Sequence, residues 1–279
     1  MQETAATRAA GVLACRPGMK IITWNVNSIR QRLPRALALL ERHRPDILCL
    51  QETKVADEEF PLMELGAAGY HAAIFGQKSY NGVAILAREE PASVARGFPG
   101  NPVPEEARVI AARIGGLALV GAYVVNGKEV GNPAYDVKLE WLDAFADWLA
   151  ATYDPAEPLL VVGDFNVAPD DRDVYSAEAW RGKNLASEPE RDRIARMRGW
   201  GLTDVARAHH GDAPGPFTFW DYRMGAFHRG WGLRIDLALA SAGVAARVTD
   251  VTVDREERKE STGEGKPSDH APLIVTIDG

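Results

Sequence analysis

Polar residues that could bind a metal ion or move a proton recur at the ends of apolar segments in this sequence. The segment "LLVVGDFNVAP" (159–169) runs from four apolar residues directly into Gly163, Asp164 and, two positions later, Asn166. Taken singly, each such residue has a structural explanation as a turn, a cap or a hydrogen bond at a strand end. Gathered at one edge of a rigid core, they would form an oxygen-rich site. The other members of the set are Asn25, Asn27, Gln51, Glu52, Tyr123, Asp236, Asp269 and His270.

Carboxylates and carboxamides are the ligands that a hard divalent cation such as Mg²⁺ prefers. Only one of the six histidines, His270, belongs to the set, and no paired Cys/His spacing is present, which argues against zinc. Phosphodiester cleavage needs an activated water, neutralisation of phosphate charge and help for the leaving oxygen, and this set supplies all three. The residue types therefore predict a metal-dependent nuclease or phosphatase.

Nine apolar runs are typical of the strands that would position these residues. Several are apolar at consecutive positions, which predicts that both of their faces are covered. The runs span 20–26, 46–52, 82–87, 109–114, 117–125, 159–166, 235–241, 248–253 and 271–277.

Helical periodicity appears over 34–44, where Pro34 suits a first turn, and over 136–150 and 189–200. Strands and helices mix from end to end without a linker or a repeat. We therefore predict an α/β fold over 19–279: one domain of two packed sheets with helices outside. Residues 1–18 are predicted to be a disordered extension, and Met19 is a candidate start.

Composition excludes several classes of protein. The chain has 279 residues, of which 46% are hydrophobic and 25% charged, as in an ordinary globular protein. No run approaches the length of a membrane span, and the two cysteines are poor candidates for a disulfide, which favours a cytoplasmic protein. The net charge of −7 would normally argue against a polyanionic partner, although basic residues cluster around 181–198 and 223–234.

Eight motifs resemble, in order, those of the exonuclease III family of abasic-site (AP) endonucleases: "WNVNSIR", "PDILCLQETK", "GQKSYNGVAIL", "RGFPG", "GDFNVAP", "FTFWDYR", "GLRIDLALAS" and "KPSDHAP". The resemblance covers about Met19 to Ile277. It implies a DNase I-like four-layered α/β sandwich that uses Mg²⁺, with Mn²⁺ as a substitute. The implied function is incision of double-stranded DNA 5′ to an abasic site in base excision repair, with 3′–5′ exonuclease and 3′-phosphodiesterase activity. A monomer, cytoplasmic and associated with the nucleoid, is expected.

The resemblance also implies roles for individual residues. Asp164 matches the family's base that activates water. Asn166 matches the residue that acts with this base and contacts the phosphate. His270, held by Asp236, matches a histidine at the scissile phosphate, and Tyr123 a tyrosine at the phosphate or leaving group. The implied metal ligands are Glu52, Asn25, Asn27 and Asp269.

The resemblance implies that aromatic and basic residues between 217 and 234 border a pocket for a flipped abasic sugar, and the alternative for this stretch is a loop partly folded into the core. The implied DNA contacts are Phe219, Trp220, Trp231, Arg223 and Arg234, with Lys54, Lys78 and Asn81 as weaker candidates. One departure is Val125, where many members of the family have a proline soon after the tyrosine. It leaves the stiffness of that loop open.

Two other functions remain to be distinguished. A phosphatase of the wider superfamily would act on inositol phosphates or lipids, which the aromatic loop and the lack of membrane-binding segments disfavour. A non-catalytic nucleic-acid-binding relative would have lost metal or nucleophile positions, and none is lost here.

Overall fold

The computed structural model describes residues 18–278, so the predicted extension before Gly18 lies outside the described residues. In chain order, the strands are β1 (Met19–Asn25), β2 (Ile47–Gln51), β3 (His71–Phe75), β4 (Val83–Ala87), β5 (Ala92–Arg96), β6 (Val109–Ile114), β7 (Leu117–Tyr123), β8 (Leu159–Asp164), β9 (Leu202–Asp204), β10 (Asp236–Ser241), β11 (Val248–Val253) and β12 (Leu273–Ile277).

The helices are mostly short, with three longer ones. In chain order they are α1 (Ile29–His43), α2 (Leu62–Ala67), α3 (Pro133–Thr152), α4 (Ala177–Trp180), α5 (Glu188–Trp200), α6 (Val205–His210), α7 (Ala226–Arg229) and α8 (Ala242–Ala245). Short 3₁₀ helices span Asp57–Glu59, Asp171–Asp173, Arg223–Gly225, Arg255–Arg258 and Glu260–Thr262. Within residues 18–278, every helix is too short or too polar to cross a membrane.

Two six-stranded sheets pack face to face. The first has the order β11-β12-β1-β2-β4-β3 and the second the order β5-β6-β7-β8-β10-β9. One hydrophobic cluster fills the space between the sheets, a second packs α3 and α5 on the outer face of the second sheet, and a third packs α1 and α2 on the outer face of the first. The predicted four-layered sandwich is therefore confirmed.

Each sheet has one parallel pair of strands at its centre. β1 pairs with β2 in parallel and β7 with β8 in parallel, and the other pairs are antiparallel. Because parallel neighbours need a crossover, α1 connects the first pair and α3 the second. The carboxyl ends of these four strands thus lie together, and the starts of the antiparallel neighbours β10 and β12 lie at the same ends.

All nine predicted strands are present, with ends that differ by at most two residues. The strands that periodicity did not predict, β3, β5 and β9, are sheet edges. Helix α1 begins at Ile29, so the prediction that Pro34 lies in a first turn is wrong. The earlier start places the buried side chains of Ile29 and Arg32 against the loops around them, and these tertiary contacts outweigh the hydrogen bond that proline removes.

Candidate active site

The predicted polar residues meet at one edge of the sandwich. Asn25 ends β1 opposite Gln51 on β2, and Tyr123 ends β7 opposite Asp164 on β8. Asp236 begins β10 directly opposite Asp164. The register of three strand pairs therefore gathers side chains that are far apart in sequence.

Three site residues beyond the strand ends have left-handed backbone conformations. The φ angles are 45° at Asn27, 53° at Glu52 and 51° at Asn166. Such angles are uncommon for residues other than glycine and carry local strain, which persists only where the surrounding contacts fix the chain. The loops that leave β1, β2 and β8 are accordingly held in specific turns.

His270 lies in a buried cluster with two carboxylates. Its Nδ1 is 2.8 Å from Oδ2 of Asp236, and its Nε2 is 3.7 Å from Oδ2 of Asp164. Burial alone would lower the pKa of His270, but the charges of Asp236 and Asp164 outweigh it and raise that pKa to about 10. The imidazole is therefore positively charged at neutral pH.

Asp164 is almost completely buried and has an unusually basic carboxylate. Burial raises its pKa to about 7, although the charge of His270 opposes the rise, and the charge of Asp236 adds to it. A carboxylate with a pKa near the working pH can accept and release a proton readily. Potential ligand atoms of Asp164, Asp236 and His270 also lie within 4.8 Å of one another, so this cluster could hold a metal ion.

Asn25 links this cluster to a second carboxylate. Its Nδ2 donates to Oε1 of Glu52 at 2.7 Å and to Oδ2 of Asp164 at 2.9 Å. Its Oδ1 accepts from the backbone N–H of Asn27 at 3.0 Å, so the oxygen is already engaged. Asn25 thus positions two carboxylates, and its Oδ1 keeps a second lone pair.

Glu52 belongs to a second group of polar side chains that already contains a positive charge. Nζ of Lys54 lies 2.7 Å from Oε2 of Glu52 and donates to Oδ1 of Asn27 at 2.5 Å. Asn27 in turn donates from Nδ2 to Oδ1 of Asp269 at 3.0 Å. Burial would raise the pKa of Glu52, but Lys54 and Asn25 outweigh it, and the pKa lies below its usual value.

Tyr123 and Asn166 complete the site from the second sheet. Burial, together with the charges of Glu52 and Asp164, raises the pKa of Tyr123 well above its usual value, so its hydroxyl keeps its proton. The backbone N–H of Asn166 donates to Oδ1 of Asp164 at 2.9 Å, and its side chain donates to the carbonyl of Val124 at 2.9 Å. These bonds fix Asn166 beside Asp164, and the register of β7 and β8 places Tyr123 opposite Asp164.

Several residues that support the site were not predicted from the sequence. Nδ2 of Asn126 donates to Oδ1 of Asn166 at 2.9 Å. Oγ of Ser268 donates to the carbonyl of Asn25 at 2.7 Å, and Arg108 donates to the carbonyl of Tyr123 at 3.2 Å. Asn126 lies three residues after Tyr123 and Ser268 lies two residues before His270, so proximity in sequence was a signal for both, whereas nothing marked Arg108.

An apolar cavity of about 260 Å³ adjoins the site. The ring of Phe219 lies 4.9 Å from that of His270 and forms one wall. Trp231 forms another, sandwiched between Arg229, whose Cζ is 4.5 Å from the ring, and Tyr175, which stacks on it at 5.6 Å. The remaining lining residues include Trp180, Arg223, Met224 and Leu233.

Two of the predicted DNA contacts are wrong. Arg234 is fully buried, and its guanidinium is bound by the carboxylates of Asp173 and Asp204 at 2.8–3.0 Å. Trp220 is 2% exposed and packs against Phe227 beneath the loop. The family resemblance implied that both contact DNA, but both side chains are buried inside the protein.

The other predicted DNA contacts lie at or near the surface, except for one. Arg223 is exposed and is hydrogen bonded by Asp221 at 2.7 Å, and Lys78 is exposed in the loop before β4. Asn81 in the same loop is buried, and its Nδ2 donates to Gln77 at 2.9 Å. Of these two residues, Lys78 is therefore the accessible one.

Comparison with known proteins identifies the family to which the chain belongs. Residues 22–270 match the sequence profile of the endonuclease/exonuclease/phosphatase family. The chain belongs to this family. Membership agrees with the resemblance carried by the motifs and with the sandwich of two sheets.

Relatives place the chain in the exonuclease III and AP endonuclease branch of the family. It is 34% identical over 266 residues to exodeoxyribonuclease III of Haemophilus influenzae. The aligned region covers 91% of this chain and 98% of the relative. The structure of a 3′ phosphatase, NExo, from Neisseria bound to a product DNA hairpin matches with a TM-score of 0.88 and 40% identity. An AP endonuclease from Archaeoglobus fulgidus matches with a TM-score of 0.88 and 38% identity. Each structure covers 94% of this chain and is itself covered completely. The chain is accordingly a hydrolytic enzyme of the DNA repair nuclease type.

Proposed function

We propose that this chain is a divalent-cation-dependent AP endonuclease, a monomer that hydrolyses the phosphodiester 5′ to an abasic site in double-stranded DNA. We also assign it 3′–5′ exonuclease and 3′-phosphodiesterase activity in base excision repair. The observation that carries the proposal is the 3.7 Å pair of Asp164 and the charged His270, linked through Asn25 to the carboxylate of Glu52. The adjoining aromatic cavity supports the choice of DNA substrate.

Asp164 is the general base of the reaction. Its carboxylate is held by the side chain of Asn25 and the backbone N–H of Asn166, which fixes the direction in which it accepts a proton from water. With a pKa of about 7, a large fraction of Asp164 is ionised at neutral pH, yet it is basic enough to take that proton.

His270 and Tyr123 serve the phosphate. The imidazolium of His270 is kept charged and oriented by Asp236, so it can donate a hydrogen bond to a non-bridging oxygen whose charge grows during hydrolysis. The hydroxyl of Tyr123 keeps its proton and can donate to the phosphate or the leaving oxygen.

The group of Glu52, Asn27 and Asp269 fits a hard divalent cation. Its donors are carboxylate and carboxamide oxygens, the ligands that Mg²⁺ prefers, and a bound cation would replace the ammonium of Lys54 that lies among them. Mg²⁺ or Mn²⁺ bound there would neutralise charge on the phosphate. The cluster of Asp164, Asp236 and His270, whose potential ligand atoms lie within 4.8 Å of one another, is the alternative cation site.

The cavity beside His270 is where we place a flipped abasic sugar. Phe219 and Trp231 form apolar walls of this cavity, whose size suits a sugar without its base. A nucleotide flips out of the duplex most easily where base pairing is already lost. Lys78 and Arg223, exposed near this edge, would contact the DNA backbone. Because such contacts release counterions, affinity should fall steeply with salt despite the acidic net charge.

A duplex oligonucleotide with one abasic site tests the proposal. With Mg²⁺ or Mn²⁺ we expect a single cut on the 5′ side of the site, which leaves a 3′ hydroxyl, and with EDTA we expect none. A second duplex that carries a 3′-phosphate reports the 3′-end activity, since relatives of similar identity are a 3′ phosphatase and an AP endonuclease. The ratio of the two rates measures the balance between these activities.

The absence of any metal-dependent cut 5′ to the abasic site would overturn the main proposal. Release of phosphate from inositol phosphates, with both DNA duplexes left intact, would identify the chain as a phosphatase of the wider superfamily. DNA binding without cleavage of either duplex would identify a non-catalytic relative.

A further inference from the structure

Lys138 is a completely buried lysine on α3, on the side of the second sheet that faces away from the first. Its ammonium donates to the backbone carbonyls of Asn166 at 2.7 Å and Asn126 at 3.1 Å, and to Oδ1 of Asn184 at 3.0 Å. It also pairs with the buried carboxylate of Glu190. A buried charge is costly unless it is paired and hydrogen bonded, and this one has partners for all its protons.

The two carbonyls belong to the loops that carry site residues of the second sheet. Asn126 lies in the loop that leaves β7 after Tyr123, and Asn166 lies in the loop that leaves β8 after Asp164. The backbone N–H of Asn166 binds Asp164 at 2.9 Å, so one residue separates the ammonium from the proposed general base. The left-handed conformation of Asn166, at φ 51°, needs such an external restraint.

The same loops are packed closely against the lysine. A Cβ atom at Gly127, where φ is 83°, would lie 2.8 Å from Cδ of Lys138 and 3.0 Å from Oδ1 of Asn184. Nδ2 of Asn184 donates to the carbonyls of Asn126 at 2.8 Å and Lys128 at 3.0 Å. The first loop therefore closes around the ammonium and has no room to shift toward it.

Glu190 fixes the other side of the ammonium. One carboxylate oxygen accepts from the backbone N–H of Leu185 at 3.0 Å, and the other accepts from the N–H and Oγ of Ser187 at 3.0 and 2.5 Å. These bonds belong to the capping box that begins α5. The lysine on α3 is thus tied to the first turn of α5.

We propose that Lys138, held in place by its ion pair with Glu190, is a positioning residue for the hydrolytic reaction. This inference rests on the function proposed above. Lys138 holds the main chain at Asn126 and Asn166 so that Asp164 and the side chain of Asn166 face the reacting phosphate. A buried ion pair often adds little net stability, and an apolar pair can replace it. An apolar side chain could not hold the two carbonyls, and a small misplacement of reacting groups slows catalysis strongly.

The kinetic test compares Lys138→Met, the double variant Lys138→Met with Glu190→Gln, and Leu149→Ala. Leu149 is fully buried on the same helix, about three turns beyond Lys138, so its truncation lowers stability without removing a hydrogen bond to either loop. For both variants that lack the lysine we expect kcat on the abasic duplex to fall about 10²-fold with KM nearly unchanged. The double variant removes the unpaired carboxylate and should regain stability but not kcat, and Leu149→Ala should keep kcat.

A second readout separates this proposal from the proposed function. Hydrogen exchange and the chemical shift of the Asn166 backbone amide, measured by NMR, should change in both variants that lack the lysine and remain as in the wild type in Leu149→Ala. Recovery of kcat in the double variant, or equal kcat in Lys138→Met and Leu149→Ala, would overturn the proposal. If the wild type leaves the duplex uncut, the proposed function fails, but the NMR readout still tests the role of Lys138. An Asn166 amide that is unchanged in the variants without the lysine would show that Lys138 does not hold the main chain at Asn166.

Discussion

Replacing Asp164 by asparagine is expected to lower kcat on a duplex with one abasic site by about 10²- to 10⁴-fold. In the wild type, the backbone N–H of Asn166 donates to Oδ1 of Asp164 at 2.9 Å. Asparagine has the shape of aspartate and can still accept this hydrogen bond. It cannot take a proton from water. The loss should therefore appear in kcat, while circular dichroism and the thermal unfolding midpoint show a folded protein.

The pH dependence of the wild type gives this prediction a second check. Asp164 must be deprotonated to act as a base, so kcat/KM should rise with pH through about 7, the pKa to which burial raises this carboxyl. His270 must be protonated, so the same quantity should fall as pH passes about 10. The variant should lack the rise near pH 7.

Asp171→Asn is a matched control, because Asp171 is an exposed residue that shortly follows Asp164 and takes no part in the site. It should retain wild-type rates and the full pH profile. Near-normal incision by Asp164→Asn would show that another group activates the water.

Glu52→Gln is expected to raise the Mg²⁺ concentration for half-maximal activity by about 10²-fold or more, because it removes one negative charge from the proposed cation site. A metal ion contributes several kcal/mol to stabilisation of the transition state, and each 1.4 kcal/mol is a factor of ten. Initial rates over a Mg²⁺ titration and calorimetric titration with Mn²⁺ measure the change.

The Glu52→Gln variant also tests where the cation binds. Glu58→Gln, an exposed glutamate on a 3₁₀ helix that follows β2, is the control and should keep the wild-type Mg²⁺ dependence. If Glu52→Gln also keeps it, whereas Asp236→Asn abolishes Mn²⁺ binding, the ion lies instead in the cluster of Asp164, Asp236 and His270.

The sequence predicts the centre of this fold well and its edges poorly. The central strands are continuous apolar runs because both of their faces are covered, and every site residue follows or precedes one of them. The edge strand β5 is exposed along its whole length and β9 has three residues, so neither carries an apolar signal. Hydrogen bonds to the neighbouring strand, which periodicity does not reveal, define them.

Residue type predicts chemistry better than it predicts burial. Asp164 and His270 were identified because acids and imidazoles at strand ends are unusual, and the structure brings them together. Arg234 and Trp220 were assigned to a DNA surface by the family resemblance of the loop that contains them, but both are buried. Lys138 gave no signal at all, because one lysine in an amphipathic helix is normally solvated, and only the fold reveals that it faces the loops.

Hydrolysis by activated water at the phosphodiester 5′ to an abasic site is tested most directly in water enriched in ¹⁸O. A duplex with one natural abasic site is incubated with the protein and Mg²⁺, and both product ends are analysed by mass spectrometry. We predict one ¹⁸O atom in the phosphate on the 5′ side of the sugar and a free 3′ hydroxyl on the other product. Cleavage on the 3′ side of the sugar, with an unsaturated sugar end and no ¹⁸O in the phosphate, would reveal elimination in place of hydrolysis and contradict the assignment.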